Sequence, residues 1–233
     1  DVGCHLIDIP FRTLGLKYPK SAECSVGSVF TKMWSPDYHP EGCPPSSLIT
    51  LNFDSTKKSK SPIQLTWTDG GIRPPHPEII PANSDIGGED SLNGVLMIGD
   101  KGIISTNIND SSPLMPKLYL YDGYTEFGPE SEEMPEPEYG HQRKWVDACK
   151  AGFNSKEHKE LTSSFDYAGP MTETVLMGNL AIRSYMLRKE NSNGGYDFYA
   201  RKKLLWDGEN MKITNLPEAN QFVTRNYRQG WKI

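Results

Sequence analysis

The stretch Ile63-Gln-Leu-Thr-Trp67 places an apolar side chain at every second position, the period that a strand with one buried face requires. Ile49, Leu51 and Phe53 repeat the pattern one segment earlier, and Asp54-Ser-Thr-Lys-Lys-Ser-Lys-Ser61 between them is polar throughout. The spacing predicts a hairpin with a solvated tip, and hence two antiparallel strands. Further strands are predicted from Glu23 to Phe30, Gly94 to Ile98, Gly102 to Thr106, Lys117 to Tyr121 and Lys203 to Trp206, several bounded by glycine turns such as Gly99-Asp-Lys-Gly102. Together these segments are expected to build one large, mainly antiparallel open sheet.

Helical signals fall in three places: Asp1 to about Leu16, His141 to about Ala151, and Pro170 to Leu187. The second carries Trp145, Val146 and Cys149 on one side and stops at Gly152; the third has an apolar face through Val175, Leu176, Leu180 and Met186, with Pro170 suited to a first helical position. Helices packed on one face of the sheet make an α+β arrangement. At 233 residues a single domain is expected.

Charge and cysteine usage narrow the function classes. A formal net charge of −5 with scattered Lys and Arg argues against binding to a nucleic-acid backbone. No apolar run reaches the roughly 20 residues that span a bilayer, so a chain without membrane helices is expected. The four cysteines, Cys4, Cys24, Cys43 and Cys149, include no C-x-x-C pair, and neither a disulfide framework nor a metal site is expected; His39 and Cys43 read as loop neighbours. The acidic, proline-rich segment Gly128 to Glu138 reads as a solvated connector.

The segment Asp1-Val-Gly-Cys-His5-Leu-Ile-Asp8 carries chemistry. At about 100° per residue, Asp1, His5 and Asp8 fall within roughly 60° on one helical face. A histidine flanked by carboxylates is oriented to take a proton from a hydroxyl. The competing reading is that Asp1 and Asp8 cap or solvate a helix whose Leu6, Ile7 and Ile9 pack inward, with Pro10 interrupting it.

This octet resembles the D-x-G-x-H-x-x-D segment that opens the C-terminal domain of the glucose-fructose oxidoreductase, inositol dehydrogenase and MocA family. Asp69-Gly-Gly-Ile-Arg-Pro-Pro75 is similar to the glycine-proline loop of one bacterial branch, and Tyr139-Gly-His-Gln-Arg-Lys-Trp145 through Gly152 to that branch's next helix. The resemblance implies that residues 1–233 are the C-terminal substrate-binding and oligomerisation domain of an NAD- or NADP-dependent sugar or polyol dehydrogenase, with a glyceraldehyde-3-phosphate-dehydrogenase-like sheet. The cofactor-binding Rossmann domain is then expected outside these residues, in keeping with the lack of a G-x-G-x-x-G fingerprint. It further implies that Asp1 is the active-site aspartate and His5 the proton acceptor. The compartment is open: the cytoplasm is the default, and an export signal upstream would place the protein in the periplasm.

Asp69, Arg73 and His76 on the glycine-proline loop, His141 and Tyr167 are candidate contacts to the hydroxyls of a sugar or polyol, each weighed against a structural role in its loop or helix. Two rival functions stay open. An NAD-dependent glycosidase or lyase of the same family would use Asp1 and His5 as well. A non-catalytic sugar-binding or assembly module would instead use the sheet, whose alternating Ile63, Leu65 and Trp67 need covering by helices or by a second copy in a homo-oligomer.

Overall fold

The computed structural model describes residues 2–84, 86, 93–108, 116–123, 125–127, 139–225 and 227–231. In chain order the elements are α1 Gly3–Leu6, α2 Asp8–Leu14, β1 Ser21–Val26, β2 Phe30–Lys32, β3 Ser35–Pro36, β4 Ser47–Phe53, β5 Ile63–Thr68, β6 Asn93–Ile98, β7 Gly102–Ile108, β8 Lys117–Leu120 and β9 Thr125–Phe127. They continue with α3 Gly140–Ala151, α4 Lys156–Glu160, α5 Phe165–Tyr185, β10 Arg188–Glu190, β11 Tyr196–Phe198, β12 Leu204–Asp207, β13 Lys212–Ile213 and a terminal 3-10 turn, Pro217–Phe222. The fold is α+β, and every described strand pair is antiparallel. Where the sequence predicts one large sheet, the described strands form a five-stranded and a four-stranded sheet and two short ribbons.

The chain divides into two compact units, one of residues 1–10 and 75–171, the other of residues 11–74 and 172–233. The boundaries run through α2 and α5.

The larger unit, residues 11–74 and 172–233, holds the sheet β13-β12-β1-β4-β5. The predicted hairpin is β4 and β5, and its register pairs Ile49 with Trp67, Leu51 with Leu65 and Phe53 with Ile63. Opposed residues share a face, so these six side chains form one apolar surface that continues through Cys24, Ala22 and Leu204. The period-two pattern is visible in burial: Ser47, Ile49, Leu51 and Phe53 are buried and the residues between them are not. The opposite face is polar, with Gln64 donating to Asn52 at 3.3 Å and Asn52 donating to Ser21 at 3.1 Å.

The part of α5 in this unit covers the apolar surface. Its buried residues are Thr174, Met177, Gly178, Ala181 and Ser184, not the predicted face of Val175, Leu176 and Leu180, and Leu176 is 49% exposed. Side-chain size explains the rotation. A Cβ at Gly178 would stand 3.0 Å from Ile49 Cδ1, so close approach selects small residues for the contact stripe. Thr174 ties the helix down by donating to Lys17 O at 3.0 Å, and Glu173 accepts from the indole N–H of Trp206 at 2.6 Å.

The smaller unit contains the meander β6-β7-β8-β9. Its core is Ile80, Ile86, Ile103 and Tyr119, with Ile79 and Leu96 packed against them. On α3 the predicted apolar side faces outward: Trp145 is 60% and Val146 38% exposed, and the buried positions are Gly140 and Ala148. As on α5, the small residues make the contact.

Two helix boundaries differ from expectation because of proline. The predicted first helix is split at Ile7, since Pro10 has no N–H to offer the Leu6 carbonyl and its ring crowds that carbonyl. The helix restarts at Asp8, leaving Pro10 in a first turn, where no donor is needed. Conversely α5 starts at Phe165, ahead of Pro170, because Ser164 O accepts from the N–H groups of Tyr167 and Ala168 at 3.0 and 2.8 Å.

Candidate functional site

The opening motif lies in the smaller unit. Asp1 lies outside the described residues, as does the acidic connector 128–138. His5 sits on α1, a single turn whose backbone begins with His5 N–H donating to Val2 O at 3.0 Å, and its side chain is exposed. Leu6 and Ile7 are buried at 7% and 6% exposure and anchor the turn. Asp8 opens α2 one residue after α1 ends, and Ile7 between them keeps a right-handed helical backbone, φ −70° and ψ −26°. No hydrogen bond links His5 to Asp8 among the described residues.

Asp8 instead meets Tyr167. The phenol of Tyr167, in the first turn of α5, donates to Asp8 Oδ1 across 159 positions of sequence. The half-buried carboxylate also opens α2, where the unpaired N–H groups of a helix start favour negative charge. A phenol held by a carboxylate is a charge-assisted pair. It fixes the tyrosine ring within the same unit that presents His5.

His76 and His141 are also in this unit. The two ring nitrogens of His76 face backbone carbonyls, Nδ1 at 3.2 Å from Pro77 O and Nε2 at 3.3 Å from Ser84 O. Carbonyls only accept, so a neutral ring satisfies one of the two at a time; either way the ring braces residues 76–84. His141 is exposed near the start of α3, beside the exposed Trp145 one turn later.

Asp69 and Arg73 belong to the larger unit. Asp69 accepts from Ser47 N at 2.6 Å, from Ser47 Oγ at 2.9 Å and from the Trp67 indole at 3.0 Å. Its carboxylate is thus committed to closing the end of the β4–β5 hairpin. The next residue must be glycine: Gly70 has φ +61°, and a Cβ there would fall 2.0 Å from Pro45 O. Arg73 is exposed on the loop that follows.

Other titratable groups are structural in character. Burial, with Glu23 adding to it, pushes the Cys24 thiol up to about 12, which leaves it without the thiolate needed for nucleophilic work. Burial raises the Glu173 carboxyl above its usual range, and the bond from Trp206 opposes the shift. The side chain of Asn210, then its backbone, holds Asp207 below the usual range in a surface turn. Cys4, Cys43 and Cys149 are exposed free thiols, and His39 faces Asp37 at 3.8 Å, not Cys43. Among the described residues no group of three or more His, Cys, Asp or Glu gathers to hold a metal ion, and no helix is long and apolar enough to cross a membrane. A surface depression of about 440 Å³ lies along β2, lined by Phe30 to Trp34.

Sequence reasoning passed over the β10–β11 hairpin, which carries Arg188 among aromatic rings. The signal was present in the polar turn Asn191-Ser-Asn-Gly-Gly195 between two short aromatic or charged runs. No protein-family model matches this chain, and no curated protein matches it.

Proposed function

We propose that this chain is the substrate-binding part of a nicotinamide-dependent sugar or polyol oxidoreductase related to the glucose-fructose oxidoreductase, inositol dehydrogenase and MocA family. The observation that carries the reading is the pairing of the opening octet with residue 167: Asp8 holds the Tyr167 hydroxyl in the unit that exposes His5. In this reading His5 takes the proton from a substrate hydroxyl, with Asp1 orienting the ring. Tyr167, kept in place by Asp8, gives the substrate an oriented phenol edge. His141, exposed in the same unit, is the side chain on hand for a further hydroxyl contact.

A dinucleotide does not fit these residues alone. Its cradle is a parallel strand, glycine turn and helix, and all the described strand pairs are antiparallel. NAD or NADP, which would accept the hydride, is therefore assigned to a Rossmann domain beyond this sequence, and this chain contributes the base and the substrate contacts.

The intact gene product, incubated with NAD or NADP and a panel of free polyols and sugars, is expected to accumulate reduced nicotinamide. Cleavage of a glycoside without net reduced nicotinamide would replace the dehydrogenase with the glycosidase or lyase reading. Binding without either reaction would leave a sugar-binding module.

A further inference from the structure

The hairpin β10–β11 in the larger unit builds an arginine site that the proposed function does not use. Arg188 pairs with Phe198 across the hairpin. Its guanidinium carbon lies 3.4 Å from the Tyr38 ring centroid and 3.8 Å from that of Tyr196, so the cation is stacked on two aromatic rings. Tyr38 is fixed in turn, its hydroxyl donating to Met186 O at 2.9 Å and its ring meeting Phe198 edge-on at 6.3 Å. A second guanidinium, that of Arg201, sits 3.5 Å from the Phe198 centroid, and Arg188 is 6.0 Å from the same point.

What these contacts leave open is the rim of Arg188. Aromatic stacking satisfies the flat faces of a guanidinium and none of its five in-plane N–H donors. Among the described residues the Arg188 side chain donates no hydrogen bond and enters no ion pair. Glu190, on the same face of the hairpin opposite Tyr196, makes no ion pair with it either. No nitrogen of this half-buried arginine is among the buried atoms lacking a partner, so the N–H rim reaches solvent.

We infer that Arg188 is an anion-binding residue, taking a carboxylate or a phosphate monoester in the plane of its guanidinium, with Arg201 supplying a second positive charge. The rings do the preparatory work. They hold the fork in one orientation and shed part of its hydration before a ligand arrives, which lowers the ordering cost of a two-bond contact. A carboxylate and a phosphate both match the fork, so they are separated by experiment.

The test is a titration of the intact protein at fixed ionic strength with inorganic phosphate and, separately, with malonate, following the Nε–H resonance of Arg188. A saturable shift with a dissociation constant on the order of 1 mM or tighter is expected for at least one anion, since a site near that affinity is worth about 4 kcal/mol. Phosphate alone, malonate alone or both identify the oxyanion and support the inference. Arg188→Lys keeps the charge and loses the fork, and should weaken binding by about 10-fold or more, while Arg201→Gln should weaken it by a smaller factor. An Arg188 resonance that moves with neither anion up to tens of millimolar on the scale of weak single-site binding overturns the inference without recourse to any variant. So does an Arg188→Lys protein that retains its fold and binds as tightly as the parent.

Discussion

Replacing Asp69 by Ala should destabilise the larger unit, and the size of the loss follows from what the carboxylate holds. It accepts three hydrogen bonds, two from Ser47 and one from Trp67. Ser47 is 1% exposed, so water cannot readily replace the carboxylate at its N–H and Oγ. A buried donor left unpaired costs about 1–3 kcal/mol; two such donors, less what the hydroxyl regains by rotating, put the loss for Asp69→Ala at about 3 kcal/mol. The Trp67 indole is half-buried and adds less. Asp69→Asn keeps one accepting oxygen but turns the other into an N–H donor facing the Ser47 or Trp67 N–H, and should lose about 1–2 kcal/mol. Urea unfolding read by tryptophan fluorescence gives the totals, and hydrogen exchange at the Ser47 amide gives the local effect, a loss of protection in both variants. A shift for Asp69→Ala within about 0.5 kcal/mol, the range of ordinary surface substitutions, would refute the reasoning and return Asp69 to the pool of ligand contacts.

Three further outcomes follow from the packing and the titrations. Gly178→Val should destabilise by about 1–3 kcal/mol through overpacking against Ile49, with partial rescue by Ile49→Val; equal stability of the parent and Gly178→Val would show that the helix does not press on the sheet there. Tyr167→Phe removes a donor from the Asp8 carboxylate and should lower stability by about 1–2 kcal/mol in denaturant unfolding, whereas no change would mean that the phenol is not held by Asp8. Glu173 has a folded-state pKa raised above its ordinary value by burial, so the folded state holds its proton more tightly. The stability it contributes is fully present below the ordinary glutamate range and falls as pH rises through the elevated value. Thermal unfolding across this window should fall more steeply with pH for the parent than for Glu173→Gln, and parallel curves would contradict the assignment.

The parts of the fold that the sequence made legible are those where one local rule governs. Ile49, Leu51 and Phe53 against Ile63, Leu65 and Trp67 alternate cleanly, and they pair in the expected hairpin. The Asp69-Gly-Gly loop follows β5 as predicted, since its glycines answer a backbone need. Legibility fails where a contact joins distant segments. Nothing near Asp69 indicates that Ser47 will stand opposite it, and nothing near Asp8 indicates Tyr167. The helical faces were misplaced for a related reason: on α3 and α5 the close contacts go to Gly140, Ala148, Gly178 and Ala181, whose small side chains carry little hydrophobic signal. Arg188-Lys-Glu190 shows no apolar alternation, so a strand built on stacking of cations over rings passed unseen.

The central claim is that His5 is the base of a nicotinamide-dependent oxidation, and it is tested most directly by His5→Ala in the intact protein, with turnover and NAD affinity measured separately. General-base catalysis contributes about 100- to 10,000-fold. Turnover should therefore fall by roughly two to four orders of magnitude, while the dissociation constant for NAD stays within about a factor of two. A His5→Ala protein that turns over at the parental rate, or one that loses NAD affinity in step with its activity, would contradict the account.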